Sequence, residues 1–86
     1  MKYRIEFYLK HKYDVAYGEF QKEEKLYRQD IPAMTDENAV KAATRVMDDL
    51  ADYKNRFGLD GEVIARRVSS ITRIDQEEIT VNIPLP

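Results

Sequence analysis

The chain opens on an alternation. Tyr3, Ile5, Phe7 and Leu9 hold the odd positions while Lys2, Arg4, Glu6 and Lys10 hold the even ones, the period-two pattern of a strand with one buried face. Only Tyr8 interrupts the polar row. The odd-position stripe can be followed through Tyr13, Val15 and Tyr17, and a reversal is expected between His11 and Gly18, with Asp14 and Gly18 as turn residues. His11 itself reads as an exposed loop or strand-end residue. Residues 19–31 pull two ways. Gln21 to Leu26 has good helix propensity, yet Phe20, Leu26, Tyr27 and Ile31 leave a long gap with nothing to pack on, and Pro32 forces an extended approach at Ile31. The segment is read as an exposed second strand antiparallel to the first, with a short helical turn as its competitor.

A helix follows. Thr35 is a natural N-cap, and Asp36 and Glu37 suit the positive end of the helix dipole. Met34 and Ala39 stand where a hydrophobic staple would place them. Ala39, Ala43, Val46, Leu50, Tyr53 and Phe57 recur in steps of four and three, widened by Val40 and Met47. Gly58 supplies the left-handed stop, and Lys54 and Arg56 fall in the last turn, where cations belong. This phase puts Leu50 mid-stripe, pressing onto Ile5, Phe7 and Val81. After the turn Gly58-Leu59-Asp60-Gly61 come Val63, Ile64, Val68, Ile71, Thr72 and Ile74. Branching at Cβ decides for a strand over residues 62–74, with a bulge near Ser69-Ser70 that swaps its buried face. Asp75-Gln76-Glu77 makes the next turn. Ile79, Val81, Ile83 and Leu85 then alternate with polar residues until Pro84 and Pro86 end the last strand.

The predicted order is ββαββ, an α+β fold: one amphipathic helix on one face of a four-stranded, mostly antiparallel sheet, in a single domain over residues 1–86. The first and last strands carry the densest apolar stripes, while the second and third are charged. Charged strands suit sheet edges, which predicts the spatial order 2-1-4-3. That arrangement resembles the β-grasp architecture in topology only, and a topology hosting so many functions carries none of them over. A four-stranded sheet in another order competes with it.

Composition narrows the chemistry. With no cysteine and one histidine among 86 residues, disulfides, thiolate catalysis and Cys-based or multi-histidine metal sites within the chain are excluded. No apolar run approaches the roughly 20 residues of a membrane helix. The N-terminus enters its strand pattern at once, without the apolar core of a signal peptide, so the expected location is cytoplasmic. No Gly-x-Ser-x-Gly elbow surrounds a serine. Asp48 and Asp52 share a helix face, but two carboxylates are too few ligands for a hard cation and read as a solvated face. Gly58-Leu59-Asp60-Gly61 follows a helix instead of preceding one, unlike a phosphate-cradling loop. No catalytic set, metal site or cofactor site is therefore expected.

Two surface features remain. On the sheet face opposite Ile5 and Phe7, Lys2, Arg4, Tyr8 and Lys10 gather, and Arg73 with either Arg66 or Arg67 would join them. Basic side chains around an aromatic on an open sheet suit single-stranded nucleic acid, although Glu6, Glu78, Thr80 and Asn82 dilute the patch. The second feature is tyrosine. Tyr8, Tyr13, Tyr17, Tyr27 and Tyr53 exceed what a core this small absorbs, and tyrosine is enriched at protein interfaces. Charge is also two-ended. Residues 1–13 set four basic residues against Glu6 alone, whereas residues 36–52 set five acids against Lys41 and Arg45. The leading expectation is a non-enzymatic module that binds another protein or a second copy of itself. Its candidate surface is Lys2, Arg4, Tyr8, Lys10, Tyr13, Tyr17 and Tyr27. Single-stranded nucleic acid on the basic sheet face is the alternative.

Overall fold

The opening alternation runs further than its apolar members suggest. The computed structural model describes residues 1–16, 18–58, 61–76 and 79–85, with backbone only at residues 75, 76, 79 and 80. Its elements are β1 (Lys2–Ala16), β2 (Glu19–Pro32), α1 (Asp36–Phe57), β3 (Glu62–Gln76) and β4 (Ile79–Asn82). The ββαββ order and the α+β class stand as predicted, and residues 19–32 are strand, not helix. Gly18 takes part in the first reversal, but Asp14 lies inside β1 opposite Phe20. The turn expected at Asp75-Gln76-Glu77 is corrected in part, because β3 runs on through Gln76. Residues 59, 60 and 77 of the two expected turns fall outside the described residues.

All strand pairings are antiparallel, in the order β2-β1-β3-β4. The expected 2-1-4-3 order is thus corrected: β3 is central and β4 is the edge. Length explains part of this, since β3 has 15 residues to pair along β1 and β4 has only 4. Charge explains the rest. Arg66 meets Asp48 and Asp52 at 3.2 and 3.5 Å, and Arg73 meets Asp36 at 3.4 Å, so the helix, not a solvent edge, receives the cations of β3. The bulge expected at Ser69-Ser70 is present, because β1 passes from Glu6 opposite Ser70 to Phe7 opposite Val68. A second shift sets Lys10 against Ala65 and His11 against Val63, which turns Ile64 outward to 40% exposure.

The helix ends are those the sequence implies. Thr35 accepts a hydrogen bond from the Asn38 N–H, and Gly58 closes the C-terminus at φ 64° with its N–H donated to the Lys54 carbonyl. Met34 is 80% exposed, so no staple forms. The helix phase agrees with the expected stripe at Ala39, Ala43 and Met47 and departs from it in the later turns. Its buried row is Ala39, Ala43, Met47, Ala51 and Lys54. Val46 and Leu50 are only half-buried, Tyr53 and Phe57 are more than half exposed, and Val81 is 37% exposed. Small alanine side chains let the helix backbone lie close to the sheet, and the larger residues are displaced to one flank.

Tyr3, Ile5, Phe7, Leu9, Ile31, Val63, Ile71 and Ile83 complete the core. The stripe then continues into His11, which is fully buried with its Nε2 3.2 Å from the Tyr27 hydroxyl. The exposed reading of His11 is therefore wrong. Tyr3 is equally buried and donates its hydroxyl proton to Asp36 at 2.7 Å, pinning the first turn of α1. At the other end, Asn55 accepts the Val63 N–H at 2.7 Å and ties the last turn to β3. Gly61, at φ 76°, is where β3 meets β1. A Cβ there would lie 2.5 Å from the Lys12 carbonyl oxygen, so only glycine fits. Beyond Lys12 the β1–β2 pair extends past β3 as a two-stranded ribbon. The molecule is accordingly long, 52 × 23 × 21 Å, with a radius of gyration of 15.1 Å, where a compact chain of this length has about 12 Å.

Candidate interaction surface

Strand parity divides the predicted surface residues between two faces. Lys2, Arg4, Tyr8 and Lys10 share the open face of the sheet, as expected, and Arg67 joins them opposite Tyr8. Arg66 and Arg73 do not, since they stand opposite Leu9 and Tyr3 and turn towards the helix. Tyr13 and Tyr27 also belong to the helix face. Tyr17 lies outside the described residues.

The open face is not a free basic patch. Asp30 on β2 takes Arg4 at 2.9 Å and Lys2 at 3.3 Å, Glu6 takes Arg28 at 3.6 Å, and Glu24 takes Arg67 at 3.4 Å. The hydrogen bond from Arg4, assisted by Lys2, holds the Asp30 carboxyl below its ordinary value of 3.8, and Asp30 in return raises the Arg4 guanidinium. The Arg67 guanidinium also covers the Tyr8 ring at 4.2 Å, occupying the position a stacked base would need.

On the helix face, His11, Tyr13 and Tyr27 form a ring cluster with centroids 6.1 and 6.3 Å apart. Buried Lys54 sets its ammonium 5.2 Å from the Tyr27 ring. His11 has no exposed surface, so it cannot reach a substrate proton. Asp48 and Asp52 clasp Arg66 instead of standing free. Among the described residues no group of three or more metal-ligating side chains converges, and no helix is long and apolar enough to cross a membrane. An open groove of about 550 Å³ runs between α1 and the C-terminal tail, floored by Val40, Ile83 and Leu85 and rimmed by Asp36 and Glu37.

The long open edge of the sheet is β2. It is one of the two outer strands, 14 residues long, and only Ile31 of it is buried. Half of its backbone N–H and C=O groups point away from β1, because alternate residues of an antiparallel strand bond to opposite sides. Leu26 is 46% exposed and Phe20 50%. The displaced helix flank of Val46, Leu50, Tyr53 and Phe57 lies on the β2 side, since the carboxylates reaching Arg66 of β3 occupy the other. The Tyr53 and Phe57 rings pack on each other, tilted by 49° with centroids 4.7 Å apart. Sequence reasoning placed this strand at a sheet edge, as observed, and included Tyr27 from it, but did not read the edge itself as the interaction surface. Comparison with protein-family models, curated proteins and solved structures found no match to this chain.

Proposed function

We propose that the chain is a non-enzymatic protein-interaction module whose docking element is the edge strand β2. One observation carries this reading: a 14-residue outer strand with only Ile31 buried presents an unpaired row of backbone donors and acceptors. Such a row binds another chain by strand addition, with backbone hydrogen bonds giving affinity and alternate side chains giving specificity. The exposed helix flank beside it supplies apolar area. The closed-off His11 and the ion-paired Asp48 and Asp52 support the non-enzymatic part. A cytoplasmic setting belongs to the same reading.

Single-stranded nucleic acid is the second reading, favoured by the shared face of Lys2, Arg4, Tyr8 and Lys10. It is the weaker of the two, because carboxylates already hold Lys2, Arg4, Arg28 and Arg67, and Tyr8 is covered.

Site-specific photocrosslinking in the producing cell tests the first reading. A photoreactive benzophenone side chain placed at Leu26 should give discrete protein adducts. The same group at Asp49, exposed on the helix away from β2, should give none. Equal labelling from both positions, or none from Leu26, would sink the edge as a docking element.

A further inference from the structure

We propose that the partner of β2 is a second copy of this chain, paired antiparallel edge to edge with Leu26 opposite Leu26. The inference rests on the interaction reading above and names its occupant. The argument is the charge sequence of the strand. A two-fold axis normal to the sheet keeps both helices on one side and matches like faces, so even-numbered residues meet even-numbered ones. Centred on Leu26, Glu24 stands opposite Arg28 of the second copy and Lys22 opposite its Asp30, and symmetry repeats each pair. On the helix face Lys25 meets Tyr27, a cation beside an aromatic ring. No like charges oppose each other in this register.

Neighbouring registers fail the same count. Centring on Lys25 sets Lys22 against Arg28, and centring on Tyr27 sets Glu24 against Asp30. Centring on Glu24 sets that carboxylate against itself. Like charges directly opposite are destabilising, so the sequence of β2 selects one register. The pairing also extends contacts already present on the open face. Arg28, 3.6 Å from Glu6 within its own chain, would gain Glu24 of the second copy on its other side. Lys22, set against Lys12 within its own chain, would gain an acidic neighbour. The edge is thus guarded against arbitrary strands by its charges and left complementary to itself, in a continuous eight-stranded sheet across the dimer.

Sedimentation velocity of the wild-type chain and two charge variants tests this. The wild type should move from 10.1 kDa towards twice that mass as concentration rises. E24R and R28E should each weaken association at least about tenfold, because each sets two like-charged pairs across the axis. An equimolar mixture of E24R and R28E should dimerise again, since every opposed pair in the mixed dimer has opposite signs. Within the chain E24R also sets a cation opposite Lys10, and R28E sets a carboxylate opposite Glu6. Circular dichroism therefore checks that each variant folds, and recovery of the dimer in the mixture shows that the loss lies in the register and not in the fold. A wild type that stays monomeric at every concentration overturns the second-copy proposal and leaves the docking edge to the crosslinking result. A dimer indifferent to both substitutions, or a mixture that fails to dimerise, overturns the register.

Discussion

Phe7→Ala is expected to cost about 3–5 kcal/mol, the range for emptying a buried aromatic site. Phe7 is 1% exposed at the centre of β1. Its ring stacks on Tyr27 of β2 at 5.6 Å and 16°, and it stands opposite Val68 of β3. Truncation therefore strips packing from three strands at once. A domain of this size holds about 4–13 kcal/mol in total, so urea denaturation should show a midpoint far below wild type or a chain that does not fold. A loss under about 1 kcal/mol would mean that this part of the sheet is not the core.

The second large effect comes from adding bulk where the helix meets the sheet. Ala43 is fully buried in the alanine row of α1. Ala43→Leu inserts three carbons between backbone surfaces that alanine holds close, and should cost about 2–3 kcal/mol by overpacking. Phe57→Ala removes a far larger side chain, yet Phe57 is 58% exposed and touches mainly Tyr53 and Arg56, so its loss should stay under about 1 kcal/mol. Thermal melts of the two variants settle the helix phase. The reverse ranking would restore the stripe through Leu50 and Phe57 and remove the exposed flank beside β2.

The helix phase was only partly legible in the sequence. The expected stripe begins on the buried alanines Ala39 and Ala43 but then follows the large residues Val46, Leu50, Tyr53 and Phe57 in place of Ala51, because residue size stood in for burial. In the folded chain the alanines approach the sheet and the large residues do not. Local patterns served better. The N-cap at Thr35, the left-handed Gly58 and the bulge at Ser69 each follow from a few neighbouring residues and were legible. Strand order was not, since the arginines of β3 read as edge protection until the helix carboxylates that pair with them were placed. His11 could have been found, because it continues the odd-position stripe of β1 and needed only Tyr27 as a partner. The open-face set of Lys2, Arg4, Tyr8 and Lys10 was also readable by parity. Its partial neutralisation was not, because Asp30 and Glu24 reach it only through the β1–β2 register.

Hydrogen exchange along β2 at several protein concentrations tests the account most directly. Amides that face β1 are protected at all concentrations, whereas the outward-facing alternate amides between Lys22 and Asp30 depend on a partner. Edge pairing predicts that exchange of this outward set slows at least about tenfold from dilute to concentrated samples, while the described amides of β4, the opposite edge, keep one rate throughout. Outward amides of β2 that exchange at the same rate at every concentration would contradict it.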